Sequence, residues 1–293
     1  MFEVILKIGP PVILIIGMIG VGLSMTRRAV QNLAAEPGSH LWIILLQIVL
    51  VPVVGIVTVL STDPPPAVSL AILLIAACPG GGISNLYVLF ARANTSLSVL
   101  MTLSSLALTS LTLPGTLLVI RWFGFEAIGE GISLAALPFQ LIAIIAIPVA
   151  IGMVLRTYLP NFALRWEDRL TTISALMIVA ILATTLWLER AAVLAMLPRM
   201  ALSVTVFLCL ALVIGALAGW AFYSSSGDRF AVMTEFAVRN VAIGVFVSVG
   251  LSSNLSFAGP AAVYLLLEAI ILLLFAQVRR YRLKRAATIS AAE

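Results

Sequence analysis

Two polar clusters interrupt segments that otherwise read as buried in lipid, and they limit what this chain can fold into. The first, Pro79-Gly80-Gly81-Gly82-Ile83-Ser84-Asn85, separates the apolar runs 69–78 and 86–90. The second, Glu235-Phe236-Ala237-Val238-Arg239-Asn240, separates 230–233 from 241–249. The hydrocarbon of a bilayer offers no hydrogen-bond partners. Ionised side chains and freed backbone groups are therefore tolerated there only against protein or a water-filled cavity. One such interruption in each half of a polytopic chain predicts an ion and solute site near the bilayer midplane, an arrangement typical of secondary transporters.

That lipid is the solvent follows from composition: 62% of the 293 residues are hydrophobic and 10% charged, with a mean hydropathy of +1.19. A spanning helix needs about 20 mostly apolar residues. Nine segments qualify: 4–25, 41–60, 67–92 (broken), 95–120, 132–156, 170–188, 200–223, 229–252 (broken) and 259–280. The expectation is an all-α polytopic membrane protein of one domain over 1–293, with a short basic tail over 281–293. The first segment is expected to stay as a mature helix. It is longer than a signal peptide, carries Glu3 and lacks a small-x-small cleavage site.

Nine spans put the termini on opposite sides. With the C-terminus inside, the cytoplasmic ends collect Arg27, Arg28, Arg92, Arg156 and the run Arg279–Arg285, against Lys7, Arg121, Arg190 and Arg199 outside. That is the positive-inside pattern, and it accounts for the net charge of +5 without a nucleic-acid partner. The protein is expected in the cell membrane, a bacterial inner membrane, among lipid, as a monomer or weak oligomer. Cys78 and Cys209 lie in different spans and read as apolar core residues, and His40 reads as an interfacial residue.

Several buried polar side chains carry chemistry. Pro79 and the three following glycines should break a helix that restarts near Ser84, with Ser84 and Asn85 either capping it or presenting oxygens to a hard cation. Ser98 and Thr102 are four apart and share a helix face. Glu235 needs a cation, a proton or an arginine, and Arg239, four residues on and on the same helix face, makes an ion pair geometrically easy. Glu268 lies nine residues into the last span, where it either neutralises Arg239 or carries a proton. Gln47 lies mid-helix, five residues before Pro52.

Together these residues resemble the bile acid:sodium symporter family. CPGGGISNLYVLFARANTSLSVLMT, Cys78–Thr102, resembles the family's CPGG-x-x-SN motif and the helix after it. EFAVRN, Glu235–Asn240, resembles its E-x-x-x-QN motif; Gln47–Pro52 resembles Q-x-x-x-x-P, and Gly20–Leu23 its G-x-G-L. The resemblance implies a panel-and-core fold in the nine-helix form. Residues 1–120 and 170–280 would be inverted repeats whose broken helices cross, and 132–156 an unpaired helix. It implies a first sodium site at Ser84, Asn85, Ser98, Thr102 and Glu235. A second would involve Gln47, Glu235, the backbone near Phe236 and Val238, and the position of Arg239, where the family has glutamine. A guanidinium has no acceptor and stays charged, so it cannot coordinate sodium. One sodium ion is therefore expected, with Arg239 standing where the second would bind. Glu268 takes a position where related members have histidine.

The reading with most support is sodium-coupled symport of a small organic anion, bile-acid-like or smaller, with Asn85, Asn240, Arg239 and Glu268 near the substrate. Proton coupling through Glu235 or Glu268 is the alternative. An arsenite-type permease would rest on Cys78 alone. An intramembrane enzyme would need a nucleophile–base pair, and no histidine lies within a span.

Overall fold

The computed structural model describes residues 2–25, 37–125, 131–251 and 255–290. Arg27 and Arg28, used above for orientation, lie outside these, as does the end of the expected tail. Among the described residues the chain is helical throughout. Six helices are long and apolar enough to cross a membrane, and three shorter apolar helices accompany them. With two further short helices, the fourth and the ninth, the elements in chain order are α1 (Phe2–Ser24), α2 (Pro37–Thr62), α3 (Pro66–Ala77), α4 (Ile83–Phe90), α5 (Thr95–Trp122) and α6 (Leu137–Tyr158). They continue with α7 (Pro160–Leu188), α8 (Arg190–Phe222), α9 (Ser226–Ala237), α10 (Val241–Leu251) and α11 (Ala258–Ser290).

Several boundaries differ from the sequence expectation. α7 and α8 begin about ten residues before the apolar cores 170–188 and 200–223, leaving Glu189 alone between them. Pro160 is pre-set for the first turn of α7. The Ala-, Leu- and Met-rich stretch 191–197 favours helix strongly enough to carry α8 through Pro198. At the other end, 281–290 of the expected basic tail continues α11 as helix. The basic residues there also make contacts. The Arg279 guanidinium lies 5.8 Å from the Phe230 ring centroid and reaches Ser226 Oγ at 3.4 Å, while Arg280 lies 4.6 Å over Phe90. They tie α11 to the ends of α9 and α4, in addition to any part in orientation.

Packing is densest around two centres, which touch through α1 with α10 and α7 with α11. α1 packs against α6 and α7 through small residues. A Cβ on Gly22 would come within 2.2 Å of the Val149 carbonyl oxygen, and one on Gly152 within 2.4 Å of that of Ile19. With no hydrophobic drive between helices in lipid, such close backbone approach supplies much of the association. The remaining helices pack around the two breaks, with α8 lying against α2, α9 and α11. Outward faces are apolar. Trp42, Trp122, Trp187 and Trp220 are exposed near helix ends, where indole rings favour the membrane interface. Cys78 is buried as expected; Cys209 instead faces outward from α8. His40 Nδ1 lies 2.8 Å from the Tyr223 hydroxyl.

The breaks themselves cross. Pro79–Gly81 runs antiparallel to Val238–Asn240, with Gly80 opposite Arg239. The Gly81 N–H donates to the Val238 carbonyl at 3.2 Å, and the Asn240 N–H to the Pro79 carbonyl at 2.9 Å. The exchange is reciprocal, and each break follows a half-helix of 12 residues. Freed backbone groups at this depth thus satisfy one another. The glycines are needed for proximity as well as for breaking helix. A Cβ on Gly81 would sit 2.8 Å from the Arg239 carbonyl oxygen, and one on Gly80 2.8 Å from Glu235 Oε2.

Candidate functional site

Glu235 stands in the last turn of α9, fully buried, and other elements surround its carboxylate with hydroxyls. Ser98 and Thr102, one turn apart on α5, donate to Oε1 at 2.6 and 3.0 Å, and Thr102 also lies 3.1 Å from Oε2. Ser84, in the first turn of α4, donates to Oε1 as well. The hydroxyls crowd one another: Ser84 Oγ is 3.3 Å from Ser98 Oγ and 3.4 Å from Thr102 Oγ1. Four oxygen-bearing side chains from three helices therefore meet at the crossing. Oxygen donors of this type suit a hard cation.

Two further polar side chains have a buried oxygen left over, Asn85, next to Ser84 in the chain, and Gln47. The Asn85 Oδ1 is buried without a hydrogen-bond partner. Gln47, fully buried on α2, donates through Nε2 to the Glu235 carbonyl at 2.7 Å, and its Oε1 has no partner. The expectation that Ser84 and Asn85 cap α4 is not met. The N-cap is Gly82, with no side-chain cap, because the helix starts at Ile83 and Ser84 and Asn85 already lie inside its first turn. At the second break a cap does form: Asn240 Oδ1 accepts from the Ile243 N–H at 3.3 Å.

Arg239 departs furthest from the sequence reading. Helix α9 ends at Ala237, so the four-residue spacing from Glu235 no longer places the two side chains on one helix face. No ion pair forms. Among the described residues the one ion pair is Arg156–Glu167, at 2.7 Å. The guanidinium turns instead to the C-terminal end of α3, where Nη2 donates to the Cys78 carbonyl. Freed carbonyls at a helix C-terminus carry partial negative charge and attract a cation. Nε and Nη1 have no partner, although Arg239 is only 4% exposed.

Glu268 is fully buried on α11, and neither carboxylate oxygen has a hydrogen-bond partner; Tyr264 and Tyr87 are its polar neighbours. Of the two alternatives for Glu268, neutralising Arg239 is not seen, since no ion pair joins them, and Tyr264 instead holds the backbone of the second break. The Tyr264 hydroxyl accepts from the Arg239 N–H at 2.9 Å and donates to the Ala237 carbonyl at 2.6 Å.

Sequence reasoning missed Tyr264 and Ser105. The Ser105 hydroxyl accepts from the Gly80 N–H at 3.1 Å, as Tyr264 does from Arg239, so each paired residue at the crossing has its N–H held by a hydroxyl. Ser105 was findable. Ser98, Thr102, Ser105, Thr109, Thr112 and Thr116 recur at alternating spacings of four and three, which draws one hydroxyl stripe along α5. Tyr264 gave no such signal.

A carboxylate and a guanidinium held at the crossing of two broken apolar helices define a polytopic membrane protein built around a polar centre. The chain belongs to the Sodium Bile acid symporter family, which it matches over residues 11–196; this is a family of transporters, not of enzymes. It is 25% identical over 164 residues to the "Uncharacterized sodium-dependent transporter YocS" of Bacillus subtilis (strain 168), covering 56% of this chain and 50% of that protein. It is 28% identical over 144 residues to "Sodium/bile acid cotransporter 4" of Homo sapiens, covering 49% of this chain and 33% of that protein. To "Probable sodium/metabolite cotransporter BASS1, chloroplastic" of Arabidopsis thaliana it is 25% identical over 256 residues, covering 85% and 61%. The chain thus spans about half the length of the first of these relatives.

Proposed function

We propose that this protein is a secondary active transporter that moves one sodium ion together with a small organic anion by alternating access. The observation that carries this reading is the gathering of Ser84, Ser98 and Thr102 on the buried Glu235 carboxylate. In this reading those oxygens, with Asn85 Oδ1, bind the sodium as cargo. The sodium-dependent names of the relatives support the choice of ion.

Arg239 takes the part of a second cation, one that never leaves the protein. Its burial and its two unpartnered nitrogens support this. Coordination of an ion through Gln47, Glu235 and position 239 would need an acceptor where the chain has only donors. The substrate's acid group then faces Arg239, with Asn85 and Asn240 nearby.

The scaffold we propose is nine spans in two inverted repeats, 1–120 and 170–280, with 132–156 unpaired, the N-terminus outside and the C-terminus in the cytoplasm. The matched half-helix lengths and the reciprocal hydrogen bonds at the crossing support the repeat. The dense packing of α1 with α6 and α7 supports a panel that leans on the core through α10.

Proton coupling stands as a second reading, favoured by one observation: Glu268 is fully buried with both oxygens unpartnered. Uptake of radiolabelled carboxylates into proteoliposomes, with sodium and proton gradients imposed separately, decides between the two. Sodium-driven uptake at equal pH upholds the first. Uptake driven by a proton gradient in sodium-free buffer replaces it with the second.

A further inference from the structure

We infer that an anionic phospholipid seats its phosphate where the C-terminal end of α11 meets α4 and α9, held by Arg92, Arg279 and Arg280. This site lies at the helix ends, away from the crossing, and its occupancy is independent of the sodium reading.

Four helix ends gather there. The Asn94 side chain, at the N-cap of α5, donates to Asp228 Oδ1 at 2.7 Å, and its backbone N–H donates to the Gly227 carbonyl at 3.4 Å. Arg279 and Arg280 bring α11 to the same place through Ser226 and Phe90. The stretch of α11 from Ala258 to Val278 is mostly apolar and matches the roughly 20 residues that cross hydrocarbon, so Arg279 and the residues after it stand at headgroup level. Five of the seven residues 279–285 are Lys or Arg, and 281–285 are exposed.

The charges are positioned without being neutralised. Arg280 lies 4.6 Å over the Phe90 ring, and Arg279 reaches the Ser226 hydroxyl and the Phe230 ring, all neutral partners. Arg279 Nε is buried with no hydrogen-bond partner. The acid of this cluster, Asp228, accepts from Asn94, and among the described residues no ion pair forms at this end. Two consecutive arginines on neutral supports keep their charge available, and phosphate oxygens match the guanidinium fork.

Arg92 adds an independent observation. It ends α4 at φ +55°, in a turn where its N–H donates to the Leu89 carbonyl and the next N–H donates to the Val88 carbonyl. Glycine is the usual residue at such a position, because a β-carbon is strained there. The chain instead carries an exposed arginine, two residues after Phe90. Strain kept in this way is a pointer to function. Next to Phe90, Leu86 and Leu89 leave an apolar strip exposed on α4, on which an acyl chain can lie. A free phosphate would leave that strip uncovered, which favours a lipid as the source. In the proposed topology this end meets the cytoplasmic leaflet, which carries negative charge.

The test is equilibrium lipid binding to the full chain in neutral detergent, read by native mass spectrometry. Phosphatidylglycerol is compared with phosphatidylcholine of the same chains, with inorganic phosphate as competitor. Phosphatidylglycerol is expected to bind at least about fivefold more tightly than phosphatidylcholine, and inorganic phosphate at equal concentration to displace neither. Arg92→Gly and Arg280→Gln should each lower phosphatidylglycerol affinity about fivefold and leave phosphatidylcholine unchanged. Arg121→Gln, in the last turn of α5 at the opposite end, should change neither. Arg92→Gly separates the charge from the fold: glycine suits the left-handed turn, so its unfolding temperature without lipid should not fall while its lipid affinity does. Equal affinity for the two lipids, full displacement by inorganic phosphate, an equal loss in Arg121→Gln, or phosphatidylglycerol affinity unmoved in both site variants overturns the inference.

Discussion

The two helix breaks share a backbone and differ in what hangs from it. Both follow half-helices of 12 residues, both exchange the same pair of hydrogen bonds, and both have the N–H of their central residue held by a hydroxyl. At the centre of the first break stands Gly80, whose missing side chain makes room for the Glu235 carboxylate. At the centre of the second stands Arg239, whose side chain crosses to the end of α3. The frame is symmetric and the charge is not. Backbone pairing, with one hydroxyl on each central N–H, crosses the two broken helices, and the side chains added to that frame differ between the breaks.

The largest effect expected from disturbing this arrangement is at Glu235. Glu235→Gln removes the negative charge at the centre of three hydroxyls, and Asn85→Ala removes the unpartnered oxygen beside them. Each should abolish sodium-driven uptake, a loss of about 100-fold or more, while the protein still reaches the membrane. Full sodium dependence in both variants would remove this end of the crossing from the transport cycle.

The next contrast is between neighbouring glycines. A Cβ at Gly81 meets backbone of the other break at 2.8 Å, whereas one at Gly82 meets nothing within 4 Å. Gly81→Ala should cost about 1–3 kcal/mol of stability, and Gly82→Ala less than about 0.5 kcal/mol. Thermal unfolding of the two variants in detergent reads the difference. Equal unfolding temperatures would mean that the breaks do not press together as described.

A smaller effect tests the symmetry directly. Ser105→Ala and Tyr264→Phe each strip the hydroxyl from one central N–H, so both should destabilise by about 1–2 kcal/mol. Tyr264 also donates to the Ala237 carbonyl, so its loss should be the greater of the two. A neutral Tyr264→Phe beside a costly Ser105→Ala would show that the second break does not depend on its hydroxyl.

How much of this was legible in the sequence depends on whether a residue's role was local. Pro79 and the following glycines announced their break, and Ser98 and Thr102 announced a shared face; those rules act within a few residues. The gathering of Ser84, Ser98 and Thr102 on Glu235 was indicated only by family resemblance, because nothing in the spacing joins α4, α5 and α9. The Glu235–Arg239 pair was a local rule misapplied. The four-residue spacing holds on a continuous helix, and α9 ends between the two. Capping by Ser84 failed because helix boundaries are read only to within a few residues: α4 starts at Ile83, which leaves Ser84 inside the helix. Tyr264, 25 residues after the backbone it supports, left no pattern to read.

In the proposed function, Arg239 is a cation tethered to the carrier. Two sodium ions moved with a monoanion would carry one net charge, and the membrane potential would contribute about 2.3 kcal/mol per 100 mV. With Arg239 in place of one ion, that charge stays with the protein, and one sodium with one monoanion is electroneutral. The deciding measurement is sodium-driven uptake of a monovalent substrate into proteoliposomes, with and without a potassium–valinomycin potential, in the wild-type protein and in Arg239→Gln. The account predicts a wild-type sodium Hill coefficient near one and little response to voltage, with Arg239→Gln gaining sodium cooperativity and voltage dependence. A wild-type Hill coefficient near two with clear voltage-driven uptake would contradict it.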